Sequence, residues 1–162
     1  MGRRPAAYRQ AQTQNPRPHS REFQMSDIKA AGVLIYVIEK KEPSFLLLRS
    51  AKTGEWGPPK GKAEPGETEL ETAVRETYEE TGFRRLQFVD GFQERIAYEV
   101  EKKGERKSKE VVFFLASTEE EDLKLSPEHT EAHLATFAEI EQLVPYFDVR
   151  ELFEKAAKRL KG

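Results

Sequence analysis

Glu76, Glu79 and Glu80 follow one another at i, i+3 and i+4 in the stretch between Gly61 and Gly82, so on a helix their carboxylates occupy one surface patch. Like charges at that spacing cost a bare helix roughly 0.2–0.5 kcal/mol per pair. Several hard oxygen donors facing one point are what a magnesium ion requires. A merely solvated charged surface interleaves its signs; here a single arginine, Arg75, immediately precedes the acids. Arg75 lies beside Glu76 and one turn before Glu79, so its planar fork can fix a carboxylate in orientation.

The elements around these residues are legible from local signals. Leu70, Ala73, Val74, Thr77 and Thr81 recur with helical period, which predicts a helix over 70–81 with this stripe inward. Thr68 and Glu71 have capping-box spacing, Glu67 and Glu69 add negative charge at the positive helix end, and Gly82 supplies the stop.

In this order the stretch resembles the Nudix hydrolase signature, with Gly61, Glu67, Arg75, Glu76, Glu79, Glu80 and Gly82 on its fixed positions. Thr77 and Phe83 stand where the signature has aliphatic residues, and a threonine methyl or a phenyl ring still fills an apolar slot. Residues around the signature are similar to the animal-type branch of asymmetrical diadenosine tetraphosphate hydrolases. They are Phe45-Leu46-Leu47-Leu48, Trp56-Gly57-Pro58-Pro59-Lys60-Gly61, Gly91-Phe92, Tyr98, Lys107, Lys109, Leu115-Ala116, and Leu125-Ser126 with Glu128-His129. Lys62 departs from that branch, which usually has histidine there, and Leu134 stands where it usually has tryptophan. Extra charge at Lys62 suits a substrate with more phosphate, such as a diphosphoinositol polyphosphate or a longer dinucleoside chain. The Pro58-Pro59 pair argues against the inositol reading.

The resemblance implies metal-dependent cleavage of diadenosine tetraphosphate into AMP and ATP. Water attacks a polyphosphate slowly unless cations neutralise its oxygens, so Glu76, Glu79 and Glu80 are the expected ligands of magnesium, with manganese as a substitute. The family implies the Gly61 carbonyl as a further ligand, and likeness to the branch adds Glu128 as ligand or base. Glu76 or Glu80 is the expected general base and Glu128 the second choice. A nucleotide-sensing module with this fold is the non-enzymatic rival, but degenerate members lose signature glutamates that remain here. Oxidised nucleoside triphosphates and a messenger cap are lesser alternatives.

Substrate grip falls to cations and rings outside the signature. Lys60 adjoins Gly61, and Lys107 and Lys109 alternate on a strand and so point to one side. Tyr98 and Phe113 can sandwich an adenine or belong to the core. Trp56 anchors the loop that Pro58-Pro59 stiffens. His129 is a helix-cap, loop-bonding or phosphate-touching residue, and His133 reads as structural or exposed.

The 162-residue chain suits one domain, and it holds no cysteine, hence no disulfide framework or thiolate chemistry. No run of residues is long and apolar enough for a membrane helix. The expected setting is cytoplasmic, with a small nucleotide as partner, no membrane, no obligatory nucleic acid, and a monomer or weak homodimer. Residues 1–25, where the first 24 hold five arginines against Glu22 alone, are expected to be a flexible basic tail ahead of a domain at 26–162. Strand patterns cover 31–38, 44–49, 86–98 and 109–116, with a hairpin tip at Lys102-Lys103-Gly104-Glu105. Thr136 with Glu139 and Asp148 with Glu151 announce two more helices, the last packing Val149, Leu152, Phe153, Ala156 and Leu160 inward. This order describes an α+β protein, and the resemblance implies the Nudix fold, a mixed sheet between helices.

Overall fold

A computed structural model describes residues 26–161, so the expected basic tail at 1–25 lies outside the described residues. The elements run β1 (Ile28–Glu39), β2 (Glu42–Ser50), β3 (Trp56–Gly57), β4 (Lys60–Lys62), α1 (Glu69–Thr81), β5 (Gln87–Lys102), β6 (Glu105–Ser117), β7 (His129–Ala135), α2 (Phe137–Leu143) and α3 (Phe147–Lys161). The sheet has the order β3-β2-β1-β6-β5, with β4 paired to β1 and β7 to β2. It is mixed, because β1 and β6 run parallel while β1 pairs antiparallel with β2 and β4.

Both faces of this sheet are covered, which explains why β1 and β2 read as continuous apolar runs. Leu34, Phe45, Leu47, Val111, Phe113 and Leu115 point to the side closed by α2 and α3, where Ile140, Leu152, Phe153 and Ala156 meet them. Ala31, Val33, Ile35, Leu46, Leu48 and Val112 point to the other side, against Ala73 of α1 and Phe83. The α+β layering expected from the element order is the one observed.

Local chemistry sets the element ends. Thr68 caps α1 in a complete capping box with Glu71, and Gly82 closes it in the left-handed conformation at φ 82°. Thr136 and Glu139 form the second box. The third does not form: α3 starts at Phe147, so Asp148 lies inside the first turn, where its charge still opposes the positive helix end.

The inward face of α1 also differs from the expected stripe. Thr72, Ala73, Thr77, Glu80 and Thr81 are buried, while Leu70 and Val74 are exposed. Small side chains let the helix approach the sheet closely, and the rotation carries Glu80 inward. Thr77 and Phe83 fill their positions as expected, both buried.

Candidate functional site

Helix α1 and strand β4 meet face to face, and the geometry there depends on Gly61 having no side chain. A Cβ at Gly61 would stand 2.0 Å from Glu76 Cδ. The contact sets the Gly61 backbone against the Glu76 carboxylate, in a cavity of about 520 Å³ also lined by Lys60, Lys62, Glu79, Glu80, Ser126, Pro127 and Glu128. Glu76, Glu79, Glu80, Glu128 and Gly61 are thus brought together as the sequence implies. Among the described residues, however, no three acids or imidazoles already converge as a compact metal cluster.

Arg75 gathers part of this set. Its Nε and Nη2 grip both oxygens of Glu67 at 2.6 and 3.0 Å, and Nη2 also donates to the Lys62 carbonyl at 2.8 Å. Its Nη1 donates to Glu76 at 3.0 Å and Glu79 at 3.2 Å. The Arg75 guanidinium, with the Glu64 backbone N–H, holds the Glu67 carboxyl down to about 2, and Glu67 in turn raises Arg75. Arg75 is therefore a positioning residue fixed by a fork-on-fork pair. Sequence reasoning gave Arg75 this task but missed that Glu67 is its anchor.

Glu80 sits deeper, 3% exposed, and accepts the Lys60 backbone N–H at 3.3 Å. Desolvation, followed by the neighbouring Glu76, pushes its carboxyl up to about 8. A crowded carboxylate pair partly stripped of water is a donor set that fits a hard divalent cation, which would relieve the repulsion holding a proton there. Glu128 reaches the same cavity from the opposite loop. That loop is pinned by the Ala51 N–H donating to the Glu128 carbonyl at 2.8 Å.

A second cavity, of about 310 Å³, lies on the other side of Lys60. Its walls include Leu48, Trp56, Ile96, Tyr98, Phe113 and Val149, with Glu55 and Tyr146 as polar members. Tyr98 and Phe113 both line it, but Phe113 is 1% exposed. Phe113 is thus a wall continuous with the core, and Tyr98 is the half-buried ring of the pair. Trp56 combines anchoring with cavity lining: its ring meets His133 edge-on at 6.3 Å and carries Arg49 at 5.9 Å. Sequence reading missed Tyr146, whose hydroxyl donates to Glu55 across 91 residues at 3.0 Å; no local signal links the two.

The predicted cations divide. Lys60 lines both cavities. Lys109 is half-buried opposite Tyr98, its ammonium 5.9 Å from the ring centroid. Burial, then Lys60, Lys62 and Lys102, bring it down to about 8. Lys107 points the same way from the register opposite Val100 and lies 3.5 Å from Glu105, and neither strand lysine lines either of these two cavities. His129 begins β7, not a helix. It lines the apolar cavity and sets Nε2 3.9 Å from Glu80. His133 is a surface partner of Glu139 at 3.3 Å.

Comparison with known proteins agrees with this layout. The NUDIX domain model matches residues 28–160. The asymmetrical bis(5'-nucleosyl)-tetraphosphatase of Mus musculus is 32% identical over 139 residues, spanning 79% of this chain and 92% of that protein. The enzyme of the same name from Caenorhabditis elegans is 33% identical, spanning 83% and 98%. A crystal structure of a C. elegans Ap4A hydrolase binary complex superposes with a TM-score of 0.74, at 31% identity over 82% of this chain and 97% of that one. By the extent of these matches and by its own carboxylate helix, the chain belongs to the NUDIX domain family.

Proposed function

We propose that the chain is a metal-dependent pyrophosphohydrolase that cleaves diadenosine tetraphosphate asymmetrically into AMP and ATP. One juxtaposition carries the reading: Lys60 lines both an acid-walled cavity and a ring-walled cavity. A substrate bearing a nucleobase and a phosphate chain matches that pair. The named relatives act on such a substrate class.

Glu76, Glu79 and Glu80, the Gly61 carbonyl and Glu128 are the residues that would hold magnesium, or manganese in its place. When bound, the ion supplies charge neutralisation and acidifies water. The protein's own groups do the rest. Arg75 keeps Glu76 and Glu79 in orientation, Lys60 meets phosphate oxygens, and Tyr98 stacks the base, a contact that contributes about 1–3 kcal/mol in nucleic-acid systems. Glu76 or Glu80 accepts the proton of the attacking water, with Glu128 as the other candidate base. Residues 26–162 form the working unit in this reading, acting in the cytoplasm as a monomer or weak homodimer.

Product analysis tests it. With magnesium present, diadenosine tetraphosphate yields AMP and ATP. Two molecules of ADP, or no turnover while nucleoside triphosphates or diphosphoinositol polyphosphates disappear, refutes the assignment.

A further inference from the structure

Beneath the first turn of α1 the sheet carries a charged group that neither cavity uses. Arg95 of β5 pairs in register with Val112, and Glu110 of β6 pairs with Ala97 on one side and Lys29 on the other. Val112 belongs to the core under α1, so strand alternation puts Arg95 and Glu110 on that face as well. There Arg95 donates through Nη1 to Glu69 at 2.6 Å and to Glu110 at 2.5 Å, and through Nη2 to the second Glu69 oxygen at 3.0 Å. Gln93 adds a bond to Glu69 at 3.2 Å. Glu69 is the first residue of α1, so a single guanidinium joins the helix to two strands.

Stability alone is a poor reason for this arrangement. Glu110 is 2% exposed, and burial raises its carboxyl while the Arg95 guanidinium opposes the rise. Charges taken out of water lose much of what their attraction returns, and an apolar pair of similar volume often holds a fold equally well. Position is the better reason. The underside of α1 is made of Thr72, Ala73, Thr77 and Thr81, small side chains that pack closely on the sheet but give shallow ridges to lock the helix in place. Two arginine forks supply what the shapes do not. Arg75 ties α1 to the Lys62 carbonyl of β4 on one side of β1, and Arg95 ties it to β5 and β6 on the other.

We propose that Arg95 is a second positioning residue for the carboxylate helix: seated on the buried Glu110, it holds Glu69 and with it the first turn of α1, so that Glu76 and Glu80 keep their places beside Gly61 and Lys60. The consequence for turnover rests on the hydrolase reading above, whereas the hold on α1 does not. A misplacement of about 1 Å at a reacting centre costs on the order of a hundredfold in rate. The same strand also serves the apolar cavity, since Ile96 and Tyr98 line it from the opposite face of β5. Arg95 thus sets the helix against the strand that walls the neighbouring cavity.

Glu69→Ala releases the helix and spares the buried Arg95–Glu110 pair. In the metal-free, full-length variant, the backbone amides of α1 should exchange with deuterium about tenfold faster, the effect of losing a charged hydrogen bond, while those of α3 keep their rate. Unchanged exchange in α1 overturns the hold. In the same variant, manganese affinity measured by calorimetry should weaken by about tenfold, and kcat for diadenosine tetraphosphate should fall by about tenfold with KM held. Faster exchange with manganese affinity unchanged overturns the positioning role and leaves a structural ion pair. Arg95→Met combined with Glu110→Leu should keep the urea midpoint and reproduce the loss of manganese affinity. A midpoint that collapses in this double variant, with affinity kept in Glu69→Ala, assigns the group to stability and overturns the proposal. A protein that cleaves no dinucleotide yet shows faster α1 exchange and weaker manganese binding in Glu69→Ala refutes the hydrolase reading and upholds the hold on the helix.

Discussion

Buried beside Glu76, the Glu80 carboxyl is pushed up to about 8 by desolvation first and by Glu76 second. Because its folded value lies above its unfolded one, its contribution to stability is intact below the unfolded value near 4.5 and is lost as pH rises toward 8. In chelator, thermal stability should therefore fall across that window, and Glu80→Gln should flatten the fall. A Tm profile of both proteins in EDTA from pH 5 to pH 9 checks this, and parallel profiles count against it. Glu79→Gln keeps the helix and should lower turnover by at least about a hundredfold through weakened metal binding. Arg75→Lys preserves charge but forfeits the fork that joins Glu67, Glu76, Glu79 and the Lys62 carbonyl. We expect a loss of about tenfold or more in kcat/KM with the fold retained by circular dichroism.

At the scale of elements, the approach of β4 to α1 sets the tolerance of the site. Gly61→Ala puts a methyl 2.0 Å from Glu76 Cδ, so Glu76 must leave its place. Activity should drop well before stability does, which parallel rate and melting measurements will show. Thr68→Ala removes the α1 cap and should cost about 1 kcal/mol in denaturant unfolding. These local devices are readable in sequence, since a capping box and a left-handed glycine involve residues a turn apart. The burial face of α1 is not, because Leu70 and Val74 look inward by composition while the sheet admits only small residues and Glu80. Strand β7 is equally hidden: His129–Ala135 mixes charged and apolar residues, and only its long-range pairing with β2 makes it a strand. Asp148 misleads for a related reason, since the start of α3 is fixed by how the helix docks and not by the nearest capping spacing.

Across the whole molecule, the two covered faces of the sheet assign stability and chemistry to different packing. Phe153, fully buried and edge-on to Phe45 at 5.2 Å, lies far along the chain from the acids. Phe153→Ala should destabilise by about 3–5 kcal/mol, measured by urea unfolding. The signature acids and Lys60 can be placed from sequence because one helix and the short strand β4 just before it carry them. The apolar cavity cannot, because its walls come from β2, β3, β4, β5, β6, β7, the segments flanking them and α3. Its least legible link is the Tyr146 hydroxyl on Glu55. That link ties the residue before the final helix to the loop before Trp56, and both residues line the cavity. On the proposed function, tension on the carboxy-terminal helix would thus reach the cavity assigned to the nucleoside, while the acid cavity shares only Lys60 with it.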